Sequence, residues 1–222
     1  MFIALAAFFV CLGITAAFNI IVELRAYSAA SQEYSDLRRL APEPAKNTGE
    51  NPAEQKQEQG REQPSLSEIN PDYAGWISIP GTSVDYPVVQ GSNNYTYLYY
   101  TFTGEENASG TIFIDYRCSG AFDDPFVMLH GHNMLDGSMF ADIRHYTRSD
   151  FRAEHPEIVI TDVDGRTFTY LVYEVRLTDD NDEVYSIPRH LVSDDFEHVL
   201  ALSTCVRGGG DEERLLVFAG RI

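Results

Sequence analysis

Along the chain the period of apolar and polar positions changes several times, and each change marks an element. Residues 1–22 are apolar almost throughout, with Thr15 and Asn19 as the polar exceptions. That length matches the ~20 residues a helix needs to cross a bilayer, so the run predicts a membrane anchor. A cleaved export signal would have a shorter apolar core of ~7–15 residues before a small-residue site, for which Ala16-Ala17 is a weak candidate. From Glu23 to Leu40 the apolar positions Leu24, Tyr27, Tyr34 and Leu37 recur at helical spacing, which predicts a helical stalk over residues 23–40. Residues 41–65 form a linker in this reading. Between Ala41 and Pro64 there is no Phe, Ile, Leu, Val or Trp, and such a segment cannot bury enough apolar surface to offset its ordering entropy.

From Leu66 the pattern becomes that of a folded domain, expected over residues 66–222. Gly75–Gly81 and Val84–Val89 are short runs joined by Pro80-Gly81, a hairpin signature. Asn93–Tyr100 reads as a helical turn carrying tyrosines, Thr111–Asp115 and Phe126–Leu129 as strands, and Ser138–Tyr146 as a short helix with Met139, Phe140, Ile143 and Tyr146 on one side. Ile158–Thr161, Asp164-Gly165 and Thr167–Val175 make the clearest hairpin, because Asp-Gly supplies the positive φ angles of a tight turn. Leu177–Leu200 breaks the pattern, and within it Asp194–Leu200 reads as a helix with Ser193 as its N-cap. Ala201–Thr204 and Leu215–Gly220 are the last two strands. Seven or eight short strands with small helical inserts predict a mainly antiparallel barrel or sandwich.

Charge narrows the partners. From Leu66 onward the chain has ten Arg, no Lys and 26 Asp plus Glu, a balance of −16 out of −18 for the whole chain. A surface this acidic repels phosphate backbones and argues against nucleic acid as a partner. Of three cysteines, Cys11 lies in the first apolar run, leaving Cys118 and Cys205. Two cysteines are too few for the disulfide framework of a small exported domain, although pairing of Cys118 with Cys205 is open at this stage.

Cys205 ends the apolar run Ala201-Leu202-Ser203-Thr204, and Arg214 opens the next strand nine residues later. Strand, connection, strand would set the two opposite each other. A cysteine is nucleophilic as thiolate, and a nearby base or cation takes it there. His132, in Leu129-His130-Gly131-His132-Asn133, is the candidate base. Each residue alone also has a structural reading, as a buried small side chain, a loop histidine and a surface ion-pair partner. His130 and His132 could chelate a metal, but zinc would want further ligands; Asp179, Asp180, Asp182 and Glu183 could attract calcium, but read as a solvated acidic loop. No metal and no cofactor is expected.

From Gly75 onward several separated motifs occur in order: Gly75-Trp76-Ile77-Ser78-Ile79-Pro80-Gly81-Thr82, Asp85-Tyr86-Pro87-Val88-Val89-Gln90-Gly91, Gly131-His132-Asn133-Met134, Leu202-Ser203-Thr204-Cys205, and Arg214 before its apolar strand. With them the chain resembles the sortases, and more narrowly the class B sortases of Gram-positive bacteria. The resemblance implies an eight-stranded β-barrel with short helical inserts, preceded here by the N-terminal transmembrane helix. It implies a cysteine transpeptidase with Cys205 as nucleophile, His132 as acid/base and Arg214 as the oxyanion cation, with Asn94, Leu98, Ser203 and Thr204 around the substrate peptide. Its partners would be secreted proteins carrying a C-terminal sorting motif and an amine of peptidoglycan, met by a single-pass membrane protein with an extracellular catalytic domain. An inactive peptide-binding or scaffold barrel and a pilin-polymerising enzyme are the alternatives. Ala201, where the family usually has threonine, Arg207, where class B members often have an acid, and His130, commonly tyrosine, are departures.

Overall fold

The computed structural model describes residues 2–42, 64–187, 195–206, 208, 210 and 212–222. Eight strands close into a barrel: β1 (Tyr73–Ser78), β2 (Asp85–Val89), β3 (Ile112–Ile114), β4 (Phe126–His130), β5 (Glu157–Asp162), β6 (Thr167–Asp179), β7 (Val199–Cys205) and β8 (Glu213–Arg221), in the spatial order β1-β2-β3-β4-β7-β8-β6-β5. Most neighbours are antiparallel as the hairpin patterns predict, but β2 with β3 and β4 with β7 are parallel. Parallel neighbours need crossover connections rather than tight turns. The two crossovers, β2 to β3 and the long β4 to β7 passage, carry Leu98 and His132, whereas Arg214 comes from β8.

The Asp164-Gly165 turn joins β5 to β6, and of the pair Gly165 alone takes a positive φ, +79°. β7 is buried from Val199 through Thr204 and emerges only at Cys205. β4 and β8 pair with its two edges and side chains of both faces are buried, so the strand reads as a continuous run rather than as an alternation. α3 (Thr96–Tyr99) is the single turn expected in the β2–β3 crossover. The helix expected over Ser138–Tyr146 is a 3₁₀ turn at Ala141–Thr147, followed by α4 (Ser149–Glu154).

One expectation is corrected. Asp195–His198 is a turn and bends, and Val199 and Leu200 already belong to β7, so the helix expected up to Leu200 is not formed there; Ser193 and Asp194 lie outside the described residues. Among the described residues of this passage the helical turn is the 3₁₀ segment Glu183–Ser186. The membrane span expected over residues 1–22 falls on the first part of α1 (Phe2–Leu37), a helix that runs on through Glu23, Arg25 and Glu33. Among the described residues no helix is long and apolar enough to cross a membrane.

The last third of α1 lies on the barrel. Ala30, Tyr34 and Leu37 are buried, Tyr34 donates its hydroxyl hydrogen to the Gly110 carbonyl, and Arg38, just beyond the helix, reaches the Asp85 carbonyl at 3.0 Å. Residues 26–40 thus lie against the domain. The linker expected over 41–65 falls for the most part outside the described residues. At its end Ser65 and Glu68 form a reciprocal capping box that starts α2 (Leu66–Ile69).

Candidate active site

The register of β7 and β8 places Cys205 directly opposite Arg214, the facing arrangement that their spacing predicts. Cys205 is an exposed free thiol. Arg214 donates from Nη1 to the Glu213 carbonyl at 3.1 Å, and its Nη2 stands 3.9 Å from Asp180 Oδ2. Asp180 is near because β6 continues to Asp179, setting Thr178 beside Arg214. Arg207 lies outside the described residues, and Ala201 is buried in the barrel wall against Phe218 and Met128.

His132 reaches the same end of the barrel from β4. Gly131 N donates to the Ser203 carbonyl at 3.2 Å and the Thr204 hydroxyl donates to the Gly131 carbonyl at 2.7 Å, so the residue before His132 is locked to the residues before Cys205. A Cβ at Gly131 would sit 2.6 Å from the Phe140 ring, which is why this link in His-Gly-His is glycine. Asn133 then donates from Nδ2 to the Cys205 carbonyl at 3.0 Å. His132 Nε2 lies 2.9 Å from the Leu98 carbonyl on α3. A carbonyl only accepts, so Nε2 carries the proton that faces Leu98, and Nδ1 is the ring nitrogen outside that bond.

The peptide-contact candidates fall in two groups. Ser203 and Thr204 are buried, and their hydroxyls are engaged, Ser203 with the Tyr185 hydroxyl at 2.8 Å and Thr204 with Gly131. Leu98 is half-buried against the core and Asn94 half-buried beside it. The two are not on one helix as the sequence reading has it, because the Asn93 side chain accepts from the Tyr95 and Thr96 amides and starts α3 after Asn94. Asn94 instead donates to Asp115 at 2.8 Å.

Asp115 is the residue that sequence reasoning missed. It is fully buried and accepts from Arg117 Nε and Nη2 at 2.8 and 2.7 Å, from the Arg117 amide at 3.0 Å, from Asn94, and from His130 Nε2 at 3.1 Å. Burial works against its ionisation, but these donors outweigh burial and hold the carboxyl well below the usual carboxylate range. The ring of His130 is stacked between Phe113 and Tyr185. The only sequence signal was an acid directly after the apolar Ile112–Ile114 with an arginine two residues on. Among the described residues no group of three or more His, Cys, Asp or Glu could hold a metal ion. Cys118 is buried and its thiol is pushed up to about 11 by burial.

The family model described as Sortase domain matches residues 77–222, well over half of the chain. The chain belongs to the sortase family. Within it the similarity is to class B: the chain is 38% identical over 122 residues to Sortase B of Listeria monocytogenes, a match covering 55% of this chain and 44% of that protein. The chain spans less than half the length of the curated relatives it matches. Among solved structures, a mutant form of Clostridium perfringens sortase B superposes with a TM-score of 0.70 at 27% identity, covering 86% of this chain and 98% of that one. A Streptococcus pyogenes class B sortase involved in pilus biogenesis gives 0.64 at 26%, covering 71% and 96%. The closed eight-stranded barrel of this sortase is the one that the resemblance implied.

Proposed function

We propose that this class B sortase is a cysteine transpeptidase that cuts a C-terminal sorting signal after threonine and transfers the protein to an amine of cell-wall peptidoglycan. The observation that supports it most is the register pair of Cys205 with Arg214, with His132 brought to the same barrel end and its tautomer set by the Leu98 carbonyl. In the first half of the reaction the Cys205 sulfur attacks the threonine carbonyl. The carbon–sulfur bond forms, the carbon–nitrogen bond breaks, and the departing amine takes a proton from His132, since an amide nitrogen leaves poorly unless protonated. In the second half His132 takes a proton from the incoming amine, whose nitrogen attacks the thioester and releases the thiolate. Arg214, with its forked guanidinium donors, stabilises the oxyanion in both halves. Leu98 and Asn94 take the peptide directly in this reading, and Ser203 and Thr204 support the strand beneath it. The substrates are secreted proteins bearing the sorting motif, met at the cell envelope.

The similarity to the pilus-biogenesis enzyme favours one second reading, in which the amine is a lysine of another pilin subunit. A panel of pentapeptides with either a peptidoglycan-type amine or a lysine amine, followed by mass spectrometry, tests both. The expected result is a thioester adduct on Cys205 and an amine-exchanged product, both abolished in Cys205→Ala. His132→Ala should lower turnover by the ~10²- to 10⁴-fold that acid/base catalysis supplies. Product from Cys205→Ala, or neither adduct nor product across the panel, would overturn the transpeptidase reading, the latter in favour of an inactive peptide-binding barrel.

A further inference from the structure

The Asp115 cluster lies outside the chemistry just described, yet its bonds run to both crossovers of the barrel. A buried ionised carboxylate is costly unless its lone pairs are filled, and here the donors come from Asn94 in the β2–β3 crossover, from Arg117 after β3 and from His130 at the end of β4. One arm goes through Asn94, whose Oδ1 also accepts from the Tyr116 amide at 3.0 Å. That arm fixes the chain entering α3, and the Leu98 carbonyl of α3 holds His132. A second arm goes through Arg117, which spends Nε and Nη2 on Asp115 and donates Nη1 to the Tyr185 carbonyl at 2.5 Å. A third goes through His130, which stacks on the Tyr185 ring and pairs in register with Ser203. Ser203 in turn shares a hydrogen bond with the Tyr185 hydroxyl.

Three arms thus converge on two objects, α3 and the 3₁₀ turn Glu183–Ser186. That turn ends at Ile187 with φ +50°, a left-handed conformation that a β-branched residue adopts only where its surroundings impose it. His130 lies two residues before His132, and Ser203 two before Cys205.

We infer that Asp115 is a positioning residue for transpeptidation: through Asn94 it sets the α3 carbonyl that orients His132, and through Arg117 and His130 it clamps the Tyr185 turn against β7 beside Cys205. The catalytic half of this inference rests on the transpeptidase reading; the clamp itself does not.

Two measurements on the full chain test it. Arg117→Lys keeps the positive charge but loses the planar fork that bonds Asp115 and Tyr185 together. Amide hydrogen exchange at residues 183–187 should then rise about tenfold or more, the size that losing one charged hydrogen bond carries, while exchange in the β5–β6 hairpin stays as in the parent. In peptide turnover the same variant should raise KM by about tenfold with kcat within about threefold, because the arm to α3 is intact. Asp115→Asn removes the charge and one of the two acceptor oxygens, weakens the arms together, and should lower kcat as well as raise KM, with faster exchange at Thr96–Tyr99. The double variant should be little worse than Asp115→Asn alone, since both act through one clamp.

Unchanged exchange at 183–187 together with unchanged KM in Arg117→Lys would overturn the inference, as would effects of the two substitutions that add in full. If Asp115→Asn does not fold, the Arg117→Lys pair of readouts still decides. A parent chain without peptide turnover defeats the transpeptidase reading and the positioning role with it, whereas the exchange profile reports on the clamp separately.

Discussion

β8 carries an arginine near each end, and the two ends have different surroundings. Arg221 sits in a lattice: it pairs with Asp123 at 3.1 Å, Asp123 also pairs with Arg166 at 2.7 Å, Arg166 pairs with Asp162, and Arg221 lies over the Phe168 ring. Arg214 has Asp180 at 3.9 Å as its acidic neighbour and the Cys205 backbone as its strand partner. Both side chains are 21% exposed, so burial does not separate them; their surroundings do. Seven residues of strand put the two guanidinium-bearing positions roughly 23 Å apart, and Arg221 cannot serve Cys205. The cysteines repeat the lesson. Cys118 is buried behind the barrel wall with its thiol pushed up to about 11, whereas Cys205 is the first exposed residue of its strand. A residue type marks a candidate, and its neighbours decide between chemistry and architecture.

Exchanging the arginines is the strongest way to break this comparison. Arg214→Lys retains charge but loses the forked donors, and turnover should fall by on the order of 10² to 10³, as when an oxyanion donor is removed. Arg221→Lys should leave peptide turnover within about twofold and lower the melting temperature by a few degrees, in line with about 1 kcal/mol in a domain of this size. A nearly active Arg214→Lys beside a dead Arg221→Lys would reverse the assignment of the two ends.

Thiol labelling sharpens the cysteine half. At pH 8 a thiol titrating near 11 is about one part in a thousand thiolate, and Cys118 is also shielded. Alkylation followed by peptide mapping should therefore modify Cys205 about 10²-fold faster than Cys118, and Cys118 should react only as fast as the chain opens. Equal rates would mean that the barrel wall does not protect Cys118. The smallest effect concerns the docked helix. Tyr34→Phe removes the hydroxyl that bonds the Gly110 carbonyl and Thr111, and should cost about 1–2 kcal/mol of stability with peptide turnover unchanged. Thermal unfolding measures the first and the peptide assay the second; a loss of turnover at unchanged stability would give α1 a role in the reaction.

Much of this was legible in the linear chain. The Gly75–Val89 and Ile158–Val175 hairpins, the apolar run that delivers Cys205 and the facing of Cys205 and Arg214 all follow from local pattern, because a strand hydrogen-bonded to its sequence neighbour leaves turn residues and a periodic signature. The parallel pairs left no such mark. Nothing in Phe126–His130 announces that Val199–Cys205 will lie beside it, since the partner is some seventy residues away and the contact is paid for in loop closure rather than in a turn motif. The Leu98 carbonyl that orients His132 is a backbone group and has no residue letter of its own. Asp115 reads as one more acid in a chain rich in acids; only the closed barrel buries it, and only burial turns a solvated carboxylate into a hub. The apolar N-terminal run shows the same limit from the other side. Composition fixed it as helix, but where α1 ends and what its last third packs against depend on Tyr34, Leu37 and Arg38 meeting partners that only the folded barrel brings within reach.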